Sequence, residues 1–194
     1  MSIRPATEKD LPEILEIYGP YVLNTTHSFE YTVPSLEEFT HRFQTITRQF
    51  PWLVWEEAGK VTGYAYGSAP FERAAYRWCA EVSIYLAPEF QGKGIGKKLY
   101  AVLEAILACQ GYRLAYSIVT AENTGSLAFH KAVGYEFLAE FPACGYKFGA
   151  WHGITWLQKS LKSVEIPTLS PTPWEDFVKN DRFPVNFLAE LTLS

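Results

Sequence analysis

The stretch "EFQGKGIGKKLY", residues 89–100, places glycines at 92, 94 and 96 among lysines at 93, 97 and 98, just ahead of an apolar run. Glycine lets a backbone come close to a ligand. A helix beginning there offers free N–H groups with a partial positive charge, so the composition suits a phosphate or diphosphate. Two well-known loops do not fit. Both G-x-x-x-x-G-K-[ST] and G-x-G-x-x-G, started at Gly92, require glycine where Lys97 stands. What remains is Q-x-x-G-x-G, formed by Gln91, Gly92, Lys93, Gly94, Ile95 and Gly96. The competing reading is a glycine-rich connection with a solvated lysine cluster.

A second candidate is Glu81, inside the apolar run "WCAEVSIYLA". Alternation along a strand puts Glu81, Ser83 and Tyr85 on one face and Ala80, Val82, Ile84 and Leu86 on the other. A carboxylate in such a strand is costly unless it is paired, functional or at a wet edge. Arg73 and Arg77 stand just before it, and either can hold a carboxylate or phosphinate with a fork of donors, or make a surface ion pair. Cys79, Cys109 and Cys144 match no zinc or redox spacing, and no histidine completes a ligand set, so no metal is expected.

These groups need elements to position them. "MSIRPA" reads as a first strand. A helix follows with Leu11, Ile14, Leu15, Tyr18 and Val22 on one face and Pro20 expected to end or bend it. "SLEEFTHRFQTITRQF" reads as a second helix with a Ser35/Glu38 capping box and an inner face of Leu36, Phe39, Phe43, Ile46 and Phe50. "PWLVWEEAGKVTGYAYGSAP" reads as a hairpin, and "YRWCAEVSIYLA" as the strand before the glycine loop. From Ile95, the residues Leu99, Val102, Leu103, Ile106 and Leu107 form a helical stripe. A strand ("YRLAYSIVTA"), a short helix ("SLAFHKAV") and two more strands ("YEFLAEFPA", "WHGITWLQKSL") complete a β-α-α-β-β-β-α-β-α-β-β order. The expected fold class is α/β, a mixed central sheet flanked by helices, in a domain over residues 1–163. Residues 164–194, rich in proline at first, are expected as an extended tail that docks through Trp174, Phe177, Phe183 and Phe187.

The 194-residue chain can bury a substantial core. Its net charge of −4 argues against a general nucleic-acid binder. The N-terminal "MSIRPATEKD" has no apolar signal region, and no run is long enough to span a membrane, so the expected location is cytoplasmic.

The succession strand, QGKGIG, long helix, strand, "ENTGSLAFHKAVGY" resembles the GNAT superfamily of acetyl-CoA-dependent N-acetyltransferases over about residues 3–161. The segments "FPWLV", "AYRWCAE", "SLAFHKAVGY" and "YKFGAWHGITWLQ" are similar to its phosphinothricin acetyltransferase branch. The chain departs from that branch in "SIVTAENTGS" and in a longer tail. The resemblance implies acetyl-CoA as co-substrate, with its diphosphate on residues 91–97. It implies a sheet splayed at the coenzyme site, so that backbone groups of Ile84, Tyr85 and Leu86 meet the pantetheine arm, with Asn123 touching the coenzyme.

The resemblance also makes Glu81 the candidate general base, which an amine nucleophile needs because it is mostly protonated near neutral pH. His130 stands four residues before Gly134, where many GNAT enzymes carry a tyrosine that protonates the thiolate. A structural histidine is the alternative. Phe29, Tyr76, Arg73 and Arg77 are candidate acceptor contacts, though core packing competes for the aromatics. The implied acceptor is a small amino acid or analogue such as phosphinothricin or methionine sulfoximine, and the implied assembly is a homodimer. Two readings of another kind stay open: acetylation of a protein N-terminus or lysine, and a catalytically silent coenzyme A-binding module.

Overall fold

A computed structural model describes residues 1–163 and 169–179. Seven strands form one sheet in the order β1-β2-β3-β4-β5-β7-β6. They are β1 (Ser2–Pro5), β2 (Trp52–Glu57), β3 (Lys60–Ser68), β4 (Cys79–Leu86), β5 (Leu114–Thr120), β6 (Glu136–Lys147) and β7 (Ala150–Ser160). All neighbours are antiparallel except β4 and β5. The helices are α1 (Leu11–Asn24), α2 (Leu36–Ile46), α3 (Ile95–Gln110), α4 (Thr124–Ala132) and a single turn, α5 (Trp174–Phe177).

The strand alternation read from the sequence sorts the core into two layers. On β2, Leu53 and Trp55 join the layer built on α3, whereas Trp52 and Val54 join the layer built on α1 and α2. On β4, Ala80 and Val82 belong to the α3 layer, with Ile84 and Leu86 packed against it, and Tyr85 turns to the α1 side. Glu81 therefore lies on the α1 side and the α3 stripe beneath the opposite face.

Four expectations are corrected. Pro20 does not end α1, which runs four residues past it, because Tyr18 and Val22 are buried on either side and that packing outweighs one lost hydrogen bond. α2 ends at Ile46, and its inner face loses both Leu36, which is 49% exposed, and Phe50, which packs in the α3 layer. β4 begins at Cys79, since Ala74–Tyr76 form a 3-10 turn. β6 continues to Lys147 through a register break between Phe141 and Gly145, which the outermost strand of the sheet tolerates. The capping box forms as read: Glu38 N–H donates to Ser35 Oγ and Ser35 N–H to Glu38 Oε2. Trp174 and Phe177 are buried against the α3 layer as part of a helical turn. Phe183 and Phe187 lie outside the described residues.

Candidate active site

β4 and β5 pair over three rungs only, Cys79–Leu114, Ala80–Ala115 and Glu81–Tyr116. Beyond Glu81 they diverge, while β5 stays paired to β7 as far as Thr120. A cavity of about 360 Å³ occupies the fork and takes its walls from both faces of the sheet. Tyr21, His27, Ser83 and Tyr85 line the α1 side; Val82, Ile84, Tyr100, Phe129 and His130 line the α3 side. The fork is thus a passage through the sheet, and Glu81 sits on its last rung.

The backbone of β4 divides between its two neighbours. Ala87 N–H donates to Thr62 O, and the β3 register is unbroken, so alternation turns the peptide groups of Tyr85 and Ser83 toward β3. Tyr85 therefore offers its side chain to the cavity, not its backbone. The peptide groups of Ile84 and Leu86 face the opening. Tyr21 Oη donates to Leu86 O at 2.6 Å and accepts from Gln91 Nε2 at 2.8 Å, tying α1 to the end of β4 and to the glycine loop.

In that loop Gly92 and Gly94 have positive φ, 71° and 78°, and a Cβ on either would meet no protein atom within 4 Å. Gly94 is the N-cap of the 16-residue α3. This bare backbone at a helix N-terminus is what a diphosphate requires. Gly96 has another role. A Cβ there would lie 3.2 Å from Phe129 and 3.3 Å from Ile84, so this glycine lets α3 close on α4 and β4. A second cavity of about 220 Å³, lined by Gly94, Ile95, Gly96 and Lys97, shares Ile84, Leu86, Gly92 and Phe129 with the first. Lys93 Nζ lies 4.8 Å from the Phe90 ring centroid. The site thus fits a long ligand with an anionic diphosphate at the loop and a thin arm in the fork.

Glu81 is half-buried, and burial pushes its carboxyl above the usual glutamate range. Its side chain makes no hydrogen bond or ion pair among the described residues. Beside it stands an aromatic group that the sequence reading only partly anticipated. Its rung partner Tyr116 lies 5.9 Å from Trp156 and 6.0 Å from Phe71, and Phe71 lies 4.7 Å from Tyr76.

His130 is 2% exposed. Its Nδ1 lies 2.8 Å from Ser126 O, which can only accept, so Nδ1 carries the proton. Nε2 then accepts one proton, from Ser117 Oγ at 2.8 Å or Tyr100 Oη at 3.0 Å, and the other hydroxyl keeps its own proton. Burial lowers its pKa, so the ring is neutral at neutral pH. It holds two hydroxyls at the cavity wall and has no proton to give from Nε2. Asn123 caps α4 by accepting Ser126 N–H on Oδ1, and it also lines the cavity.

The structure separates the two arginines. Arg77 donates to Ala74 O and Ser170 Oγ and lies over Trp78. Arg73 makes no ion pair or side-chain hydrogen bond among the described residues. Phe29 packs on the β6–β7 hairpin, against His152 and tightly against Gly145, away from the aromatic group beside Glu81. Lys147, 2% exposed, donates to the carbonyls of Val22, Thr25 and Ser28 and so pins the chain that carries His27 to the cavity. Tyr21, Tyr100, Tyr116, Ser117 and Trp156 were not anticipated. Tyr21 could have been found from its position three residues after Tyr18, and the others depend on which strands and helices meet.

Residues 3–156 match the family described as the acetyltransferase (GNAT) domain. The chain belongs to the GNAT acetyltransferase family. This GNAT chain is 37% identical, over 164 residues, to the L-methionine sulfoximine/L-methionine sulfone acetyltransferase of Pseudomonas aeruginosa, covering 82% of this chain and 94% of that protein. The phosphinothricin acetyltransferase of Sinorhizobium meliloti, solved with acetyl-CoA, superposes with a TM-score of 0.84 at 39% identity, over 89% of this chain and 96% of that one. A structure of ribosomal-protein-alanine N-acetyltransferase from Brucella melitensis gives 0.80 at 34% identity, over 82% and 99%. Among the described residues no group of acidic, histidine or cysteine side chains is arranged to hold a metal, and no helix is long and apolar enough to cross a membrane.

Proposed function

We propose that this GNAT acetyltransferase moves the acetyl group of acetyl-CoA to the α-amine of a small amino acid or analogue of the phosphinothricin or methionine sulfoximine kind. The observation that carries the reading is the fork between β4 and β5, with a carboxylate on its last rung that has no partner among the described residues and a bare glycine loop at its mouth. The names of the relatives supply the acceptor class.

Acetyl-CoA supplies an acetyl thioester. The backbone of residues 92–96 and the α3 N-terminus hold its diphosphate. Ile84 and Leu86 present peptide groups along the arm, and an N–H of that edge donates to the thioester oxygen as it gains charge. Glu81 takes the proton of the acceptor ammonium. An ammonium is a far weaker acid than a carboxylic acid, and burial, by raising the Glu81 carboxyl, narrows that gap and eases the transfer. On the thiolate side, Ser117 and Tyr100 offer hydroxyls held by His130. Nε2 takes one of their two protons, and the other hydroxyl donates to the sulfur without giving its proton up, since burial raises the Tyr100 phenol far above a thiol. Arg73, without an ion pair among the described residues, is a cation for the acceptor's acid group, with Tyr76 and Phe71 on the same loop.

We take residues 1–163 as the catalytic domain and the cytoplasm as its location, in keeping with three free cysteines. We also propose a homodimer. Phe137, Phe141, Phe148 and Trp151 are exposed on β6, β7 and their connection, Phe137 by 64% and Trp151 by 65%, at one edge of the sheet.

A free-thiol release assay with acetyl-CoA tests the function against phosphinothricin, methionine sulfoximine, common amino acids and an alanine-initiated peptide. Turnover is expected with the amino acids or analogues. Acetylation of the peptide with all of these inert would replace this acceptor class by a protein N-terminus, and no release with any amine would leave a silent coenzyme-binding module.

A further inference from the structure

Residues 169–179 lie beyond the stretch that matches the family and are held at two ends. One end is anchored in the core. Thr172 N–H donates to Gln110 O at 2.8 Å, and Gln110 Nε2 donates back to Thr172 O at 2.8 Å. Trp174 N–H donates to Gln49 O, Trp174 and Phe177 are buried against the α3 layer, and Pro171 rests on Gly111. The other end reaches the loop before β4. Trp78 Nε1–H donates to Leu169 O at 3.0 Å, and Arg77 Nη1 donates to Ser170 Oγ at 3.0 Å. Arg77 also folds back to Ala74 O at 2.8 Å, closing the 3-10 turn Ala74–Tyr76 that carries Tyr76 and follows Arg73.

Residues 71–77 are all exposed. At its β3 end the loop rests Phe71 on Trp156, and at its β4 end its side chains rest on the core-anchored segment. We infer that residues 169–172 are a positioning brace, which holds the 71–78 loop so that Arg73 and Tyr76 meet the acceptor. The inference rests on the reading, given above, that this loop faces the acceptor. A loop held in its binding conformation spares the acceptor the entropy of ordering it, so loss of the brace weakens acceptor binding and leaves the coenzyme side untouched.

The test is the double variant Trp78→Phe/Ser170→Ala, which removes both contacts and keeps an aromatic ring at position 78, with Arg73→Ala in parallel. Losing hydrogen bonds of ordinary strength predicts an increase of about three- to tenfold in acceptor KM. The KM for acetyl-CoA and the melting temperature should stay near wild type, and amides of residues 71–78 should exchange hydrogen faster. Unchanged acceptor KM in the double variant, with a raised KM in Arg73→Ala, overturns the brace and leaves the acceptor site standing. Faster exchange with acceptor KM unchanged in both variants overturns the acceptor reading, and the inference with it. An equal rise in the KM of both substrates also overturns the brace, because the disturbance is then general.

Discussion

Gly94 allows backbone strain and ligand approach to be separated. Its φ is 78°, and a Cβ there meets nothing within 4 Å. Gly94→Ala therefore causes no clash and carries only the left-handed penalty, about 1–2 kcal/mol. For a chain of this size that is about 2–8 °C of melting temperature. Gly94→Asn, which tolerates this conformation better, should regain most of it. Binding behaves differently. Either side chain stands where the backbone must meet the diphosphate, and losing one charge-assisted hydrogen bond of about 1.5–3 kcal/mol weakens acetyl-CoA binding about 10- to 150-fold. Gly59→Ala is the control, with φ 79° and open space in the β2–β3 turn: the same strain without loss of affinity. Calorimetric titration with acetyl-CoA beside a ligand-free melt reads both quantities. If Gly94→Asn binds like wild type, the loop is not a phosphate cradle and the reasoning fails.

Glu81→Gln should lower kcat by about 10²–10⁴-fold with acetyl-CoA affinity unchanged, and wild-type turnover would place the base elsewhere. Burial raises the Glu81 pKa, so the acidic limb of the wild-type rate profile should lie above the ordinary glutamate range. Its folded pKa also exceeds its unfolded one, so this group favours the fold below the unfolded value and loses that contribution as pH rises through the folded one. Glu81→Gln should therefore raise the melting temperature at pH 8 and have little effect near pH 4, and equal shifts at both would exclude charge burial as the cause. His130→Phe should cost less turnover than Glu81→Gln, because His130 has no proton on Nε2 and a thiolate leaves readily; a larger loss would make it the leading catalytic group. Arg73→Ala should raise KM for an anionic amino acid and spare acetyl-CoA, whereas Arg77→Ala should act only through the loop.

Much of the site was legible because it obeys local rules. The glycine loop and the stripe after Ile95 announce a helix N-terminus by residue type alone, and alternation through residues 80–86 puts Glu81 opposite the α3 layer before any pairing is known. Pairing is what the sequence withholds. Tyr116 matters because it is the rung partner of Glu81, and Trp156 because β7, not β6, lies beside β5. Nothing in "FERAAYRW" chooses between its two arginines, since Arg77 is taken by Ser170, 93 residues away. His130 looked like a possible acid until its own helix supplied the carbonyl that fixes its tautomer. Pro20 shows the reverse, a local rule overruled by the burial of its neighbours.

The three rungs between β4 and β5 also bear on how the molecule unfolds. They make one sheet out of two half-sheets, β1–β4 and β5–β7, each paired within itself over more rungs than join the two. A ligand arm lying along the peptide groups of Ile84 and Leu86 would serve as a missing strand between the halves. At a ligand concentration 100 times Kd, mass action adds about 2.7 kcal/mol. Spread across the fork, that energy should raise the midpoint of unfolding, and the amides of β4 and β5 beside the fork should exchange hydrogen more slowly with ligand than without it.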